Sequence, residues 1–386
     1  MPEATPPYPE ALPASEDDPA LDEACQLHEH AVTTREQGDF GQAAVLARQA
    51  LALMEHTAGP DHPDVANILL NLAGVLEDQG AYEEAEQHYR RAVRIMNALP
   101  PGDEDVDRLR VQALGRLAWL LRHLGQYDEA EVLLQRALTL AEDALGPDDL
   151  DVSSVLNNLG VLYKYTGRFD EAEPLYRRAL AIVEETLGPN HPEAASLYHN
   201  LGGLEHARER YAEGEPYARK SVAIREKALG ADHLAVAADV AALAALLDGQ
   251  GKYDEAEALY HRALAIFEQV YGPQHYEVAV NLNNLAAIAY ERGDAAKALR
   301  LYQQALAIKE TVLGPHHVDV ALTLNNLAVL YTSLGKLDEA AVCYRRALTI
   351  YHETLGPTHP QLITCQANDA DLMEMMEQGL SHIETT

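Results

Sequence analysis

Basic residues are scarce in this chain. Lys and Arg total 29 against 61 Asp and Glu, a formal net charge of -32 over 386 residues. Phosphate backbones and anionic membrane surfaces need a basic face, so neither nucleic acid nor a membrane is expected as a partner. Cysteine is nearly absent as well: Cys25, Cys343 and Cys365 are odd in number, far apart and at no metal-ligand spacing. They read as buried thiols of a reducing, cytoplasmic compartment. No apolar run approaches the roughly 18 residues that a membrane span requires. The opening "MPEATPPYPEALPASEDDPA" has neither the basic nor the apolar region of a secretory signal. Residues 1–19 read instead as a disordered, Pro-rich acidic tail. No GxxxxGK[ST], GxGxxG, HExxH or GxSxG occurs, so neither an enzyme nor a cofactor is expected.

What the chain has in abundance is repetition. Turn glycines recur at Gly38, Gly80, Gly125, Gly167, Gly251, Gly293 and Gly335, and Glu209 holds the same place in one copy. The period is 42 residues, except for one interval of 45 that contains the insertion "NALPPGDEDVD". Gly-Pro pairs at Gly146, Gly188, Gly272, Gly314 and Gly356, with "GA" at Gly230, keep the same beat. Eight copies therefore fill residues 20–358, and a ninth helix-like segment, 359–386, follows.

Each copy reads as two helices. In "DVALTLNNLAVLYTSLG" the apolar residues Val320, Leu324, Leu327, Ala328 and Tyr331 fall at three- and four-residue steps. The second helix, "DEAAVCYRRALTIYHETLG", puts Ala340, Tyr344 and Ala347 on one face, with Gly356 expected as a C-cap at positive φ. Pro63, Pro192 and Pro360 open the next helices at the first helical position. One such pair cannot bury both faces, so neighbours must stack. The fold class is all-α, an α-solenoid of about eight helix-turn-helix units with a C-terminal capping helix.

Acidic clusters such as "YEEAE" and "FDEAE" fall in the first turn of the second helices, where the dipole favours them, and form i,i+4 pairs such as Glu86–Arg90 and Glu173–Arg177. The histidines of "GPxHP" (His62, His191, His275, His359) recur once per repeat, too far apart to share a metal, and read as loop and cap residues. In the last segment Leu362, Ile363, Ala370, Leu372, Met373 and Met376 read as an apolar face on the last repeat, with "NDAD" outward. A Met-rich docking or homo-oligomer surface is the alternative.

The recurrent pattern "LNNLAxLY…G.Y.EAE.LYRRALAI.E..LGP.HP.VA" resembles the tetratricopeptide repeat, in the 42-residue version found in kinesin light chains and many bacterial proteins. The resemblance covers residues from about 20 to 380. It implies a right-handed superhelix whose first helices line a concave groove, and a scaffold that holds extended peptides of partner proteins there. It also implies that the "NN" positions face the groove. Here these are Asn157, Asn158, Asn283, Asn284, Asn325 and Asn326, with His199-Asn200 as a variant. A carboxamide offers an acceptor and two donors to a peptide backbone; the alternative is that some of them bond neighbouring helices. By alignment the central repeats add Arg116, Trp119, Arg122, His123, Lys164, Tyr165, His199 and His206, a basic and aromatic island suited to an acidic peptide. The alternative there is that Trp119 packs on the insertion and the arginines pair with nearby acids. Acids and Tyr290 flank the island. A second functional reading is a regulatory sensor acting in trans on a bacterial signalling ATPase or transcription regulator.

Overall fold

The computed structural model describes residues 19–357 and 359–384, with side chains to Glu377. Apart from Pro19, the expected N-terminal tail lies outside the described residues. Seventeen α-helices and no strand occur among the described residues. They form two compact units that divide between Leu204 and Glu205. The first unit holds α1 (Pro19–Glu36), α2 (Phe40–Thr57), α3 (Pro63–Asp78), α4 (Tyr82–Ala98), α5 (Glu104–His123), α6 (Tyr127–Ala144), α7 (Leu150–Tyr165), α8 (Phe169–Thr186) and most of α9 (Pro192–Ala207). The second holds the end of α9, α10 (Tyr211–Leu229), α11 (Leu234–Asp248), α12 (Tyr253–Tyr271), α13 (Tyr276–Glu291), α14 (Ala295–Leu313), α15 (Val318–Ser333), α16 (Leu337–Thr354) and α17 (Pro360–Glu384).

The repeated sequence explains the repeated pairs. At the end of α3, Gly80 takes φ 75°, which lets its N–H reach Glu77 O (2.9 Å) and the Ala81 N–H reach Leu76 O (2.8 Å). That motif closes the helix and reverses the chain. The same two bonds end α9, where Arg210 N–H donates to Glu205 O (2.8 Å), but Glu209 supplies the left-handed residue at φ 59°. At the other end of the units, α16 stops at Leu355 in extended backbone (φ -118°), whose N–H closes onto Tyr351 O (2.8 Å). The helix therefore ends one residue before Gly356, which does not serve as the expected left-handed cap.

Packing within each unit rests on an Ala-Tyr-Ala stripe along the second helices. Ala85, Tyr89 and Ala92 have counterparts in Ala172, Tyr176 and Ala179, in Ala256, Tyr260 and Ala263, and in Ala340, Tyr344 and Ala347, all at most 2% exposed. The alanines let helices approach and the tyrosine fills the space between them. Tyr176 lies so close over Gly160 of α7 that a Cβ there would sit 2.6 Å from its ring. First helices contribute the larger aliphatic share, as in Val320, Leu324 and Leu327. Each such side chain contributes about 1.5–3 kcal/mol when buried.

Polar stitches set the spacing of successive pairs. Arg91 bonds Glu55 (2.5 Å) and Pro60 O (3.2 Å); Arg178 bonds Glu142 (2.5 Å) and Pro147 O (3.0 Å); Arg262 bonds Glu226 (2.6 Å) and Ala231 O (2.9 Å). These arginines are about a third exposed, so each pair contributes at most about 1 kcal/mol and acts mainly on register. The expected i,i+4 pairs also form, Glu86–Arg90 at 2.7 Å and Glu173–Arg177 at 2.8 Å.

The C-terminal helix α17 packs on the last pair through Leu362, Cys365 and Leu372, with Met376 partly buried beside them. The expected face is thus corrected: Ile363 and Met373 are 51% and 42% exposed, and Ala370 is exposed too. The rotation has a cause in "NDAD". Asn368 is not turned outward but donates from Nδ2 to Asn325 Oδ1 (3.3 Å) on α15.

A non-glycine residue held in left-handed backbone costs about 1 kcal/mol. Glu209→Gly is therefore expected to raise the unfolding free energy by about that amount, without change in helix content. Chemical denaturation followed by circular dichroism measures it, and an unchanged or lower midpoint counts against a strained turn.

Candidate functional site

The first helices of the first unit carry a buried polar floor. Asn67, Asn71, Gly74 and Glu77 follow one face of α3, flanked by His28 and Arg35 of α1 and Arg116 of α5. Asn71 Nδ2 lies 2.8 Å from His28 Nε2, which accepts with the ring neutral. Burial pushes the His28 pKa down to about 4. Arg35 bonds Asp78, and its guanidinium lies against Gly74, where a Cβ would sit 2.5 Å from Nη1. Tyr89 donates its hydroxyl hydrogen to Glu77 Oε2 (2.8 Å). Arg116 in turn donates to Tyr89. Burial pushes the Glu77 carboxyl up to about 7, against the opposing pull of Tyr89, Arg116 and Arg35. Arg116 is only 8% exposed and so belongs to the floor, not to its open edge.

Further along, α5 and α7 bring the rest of the basic and aromatic island together. The Arg122 guanidinium lies 4.8 Å from the Tyr165 ring and 5.8 Å from the Trp119 ring. Trp119 and His123 rings are 4.0 Å apart, and Arg122 Nη2 lies 3.0 Å from His123 Nε2. Lys164 Nζ is 5.8 Å from the Tyr165 ring. Tyr165 is 59% exposed, so this cation-covered ring faces solvent. Cations are attracted to aromatic faces and oriented by them. Lys164 Nζ also reaches α9 beside Gly203. Among the other expected island residues, His199 is half-buried on α9. His206 belongs to the second unit, edge-on to the Tyr211 ring at 5.3 Å.

The asparagines divide into two sets. Asn200 Nδ2 donates to Asn157 Oδ1 (2.7 Å), as Asn368 does to Asn325, so these carboxamides bond neighbouring first helices. Asn283, 7% exposed, accepts from Thr323 Oγ1 (3.3 Å), whose oxygen lies 3.1 Å from the buried Lys309 Nζ. Only in the Asn283–Asn284 pair is the second member the more open one. Asn158 is half-buried with Nδ2 beside Gly115, Asn326 is half-buried, and Asn284 hydrogen-bonds Tyr260. Tyr290 is half-buried at the edge of the α13–α14 core. Near it Asp248 is pushed up to about 6, by burial first and then by the Glu291 charge.

Sequence reasoning missed Gly203, Tyr89 and Lys309 as site-shaping residues. The glycine alone had a visible signal, a bare residue inside a helix where the neighbouring copies carry Val161, Ala245, Ala287 and Val329. Lys309 sits in the column of Phe267 and Tyr351, where an earlier copy has Arg225, and only the fold shows what it bonds.

The tetratricopeptide repeat profile matches residues 22–98, 109–185, 151–227, 193–251, 237–311, 282–353 and 319–378. The chain belongs to the tetratricopeptide repeat family. A kinesin light chain-related protein of Arabidopsis thaliana is 28% identical over 107 residues, 28% of this chain and 17% of that protein. Among solved structures, a Signal Transduction ATPase with Numerous Domains with a tetratricopeptide repeat sensor, from Pyrococcus horikoshii, aligns with TM-score 0.63 and 15% identity over 96% of this chain and 53% of its own. Aspartyl phosphate phosphatase F of Bacillus subtilis aligns with TM-score 0.57 and 17% identity over 76% and 72% of the two chains. At these identities the structures share the fold of this repeat chain. Among the described residues no group of three or more His, Cys, Asp and Glu is arranged to hold a metal, and no helix is long and apolar enough to cross a membrane.

The depressed His28 pKa has a thermodynamic consequence. The folded state takes up this proton only near pH 4, the unfolded chain near 6.5. The neutral ring's contribution is complete above about pH 6.5 and is lost as pH falls towards 4, at most about 3 kcal/mol. His28→Gln should flatten the fall of stability over that window, measured by urea titrations at pH 7.5, 6 and 4.5. Parallel curves for the two proteins would contradict the buried neutral histidine.

Proposed function

We propose that the chain is a scaffold that holds an extended, acidic segment of a partner protein along the inner faces of its first helices. One observation carries this reading: an exposed Tyr165 packed with Arg122 and Lys164 beside Trp119 and His123, in a chain of net charge -32. Such a group attracts a carboxylate locally while the surrounding surface repels bulk polyanions. Arg122 on its aromatic supports offers a planar fork to one carboxylate, Lys164 a point charge to another. The half-buried carboxamide of Asn158 would bond peptide backbone in the first unit, and those of Asn284 and Asn326 in the second. Asn157, Asn200, Asn283 and Asn325 then act by holding the first helices at the spacing of the ladder, and Arg116 by fixing the floor beneath it. His199, His206 and Tyr290 extend the surface within their own units.

A second reading is a sensing module that acts in trans on a signalling ATPase. It rests on the likeness over 96% of this chain to the P. horikoshii protein, whose repeats are described as a sensor. Recovery of one ATPase with the chain purified from its host would favour it.

Trp119, the chain's single tryptophan, reports on the site directly. Its fluorescence should change on titration with a Glu/Asp-rich peptide and not with a Lys-rich one. Lys164→Glu with His123→Glu should weaken binding at least tenfold, and wild-type affinity should fall with salt. Asn158→Ala should cost about 1 kcal/mol with an unchanged salt slope. Equal affinity in the charge-reversed protein would refute the acidic ligand.

A further inference from the structure

The first helices are capped in two chemically different ways. Asp103 caps α5, where its Oδ1 accepts from the Asp105 N–H (3.1 Å), and Asp149 caps α7, accepting from the Asp151 N–H (2.8 Å). The other caps are histidines used through Nδ1. His62 accepts from Asp64 N–H (3.3 Å) at α3, and His191 from Glu193 N–H (3.3 Å) at α9. In the second unit His233 accepts from Ala235 N–H (3.1 Å), His275 from Glu277 N–H (3.2 Å), His317 from Asp319 N–H (3.1 Å) and His359 from Gln361 N–H (3.3 Å). Every helix of the second unit that follows a second helix (α11, α13, α15 and α17) therefore starts on an imidazole.

An imidazole caps only while Nδ1 keeps its lone pair, which requires the neutral ring with its proton on Nε2. The imidazolium turns an N–H towards the backbone N–H it had accepted from, and sets a positive charge at the positive end of the helix dipole. A carboxylate cap has no such failure until far lower pH. We infer that the histidine caps are a distributed acid switch that loosens the first helices of the second unit together, while the aspartate-capped α5 and α7 hold.

The groups around the rings tune this. Asp64 Oδ2 lies 3.5 Å from His62 Nδ1, and Asp319 Oδ2 lies 3.8 Å from His317 Nδ1, so a charged ring there can exchange its backbone bond for a carboxylate. Asp319 is already engaged by the Tyr276 hydroxyl (2.7 Å), and the adjacent His316 faces Glu353 at 3.4 Å. His275 stacks on the Tyr271 ring at 3.9 Å beside Glu277, and burial pulls its pKa down. Among the described residues no charged side chain lies at ion-pair distance from the rings of His191, His233 or His359. The switch is therefore cleanest at His191, His233 and His359. It needs no ligand and stands apart from the peptide-binding reading.

Hydrogen exchange of the full chain between pH 7.5 and 5.5, corrected for the intrinsic exchange rate, tests it. Losing a cap shifts the local opening equilibrium about fivefold. Protection in the first turns of α11 and α17 should fall by about that factor, while the first turns of α5 and α7 keep theirs. In the His233→Asp, His359→Asp protein, α11 and α17 should keep their protection at pH 5.5 as well. Equal loss in both sets of helices, or the same acid sensitivity after the aspartate exchange, overturns the proposal. Should the double variant fold poorly, the comparison of the two sets within the unaltered chain decides alone.

Discussion

The structure depends on one constraint: a helix pair with two apolar faces can cover only one of them itself. The second face is satisfied by the next pair, so burial in this chain is a property of neighbours and not of single repeats. The Ala-Tyr-Ala stripe is the local form of that constraint. Alanine at Ala172 and Ala179 brings α8 close enough for Tyr176 to reach the bare backbone at Gly160. At Tyr89, Tyr260 and Tyr344 the flanking alanines recur, with Ala73, Ala244 and Ala328 in the glycine's place. At the C-terminal end the constraint is answered by substitution. On α17 Gln366 and Asp369 stand where α15 has Leu324 and Leu327, which blunts the face that a further pair would have covered.

Polar side chains buried between first helices add specificity to this stacking. Hydrophobic contact alone would tolerate small sliding of one pair on the next. Asn157–Asn200, Asn325–Asn368 and His28–Asn71 do not, because displacing either partner strands a buried polar group. In the second unit Asp239, 1% exposed, is held by Ser221 Oγ (2.5 Å) and Arg225 Nε (2.8 Å), a charged version of the same device. The paired asparagines of the repeat thus have a division of labour. The first member, at Asn157 and Asn325, bonds the second-position carboxamide of the next first helix, Asn200 and Asn368.

Much of this could be read from the residues. Helix pairs, turn glycines, N-terminal prolines and the i,i+4 pairs follow from local spacing, and each is a short-range effect. Trp119, Arg122, Lys164 and Tyr165 could be grouped because a repeat converts sequence position into spatial position. The reading ran out where contacts cross repeats. Arg116 aligned with groove cations, yet it is drawn under the surface by Tyr89 and Glu77 of the preceding repeat. The face of α17 was misassigned because Asn368 reaches back to Asn325, a bond between residues 43 apart that periodicity within one helix cannot reveal. Gly356 does not cap because α16 already closes at Leu355, whose N–H bonds Tyr351 O in extended backbone.

The central claim is that an acidic segment lies against Tyr165, and a photoreactive residue at that position tests it most directly. With a pool of random peptides, cross-linking from position 165 should recover sequences enriched in Asp and Glu. A matched photoreactive residue at Val132, 63% exposed on α6, should recover few peptides and no such bias. Equal yields from the two positions, or peptides from 165 with no excess of acids, would contradict the account.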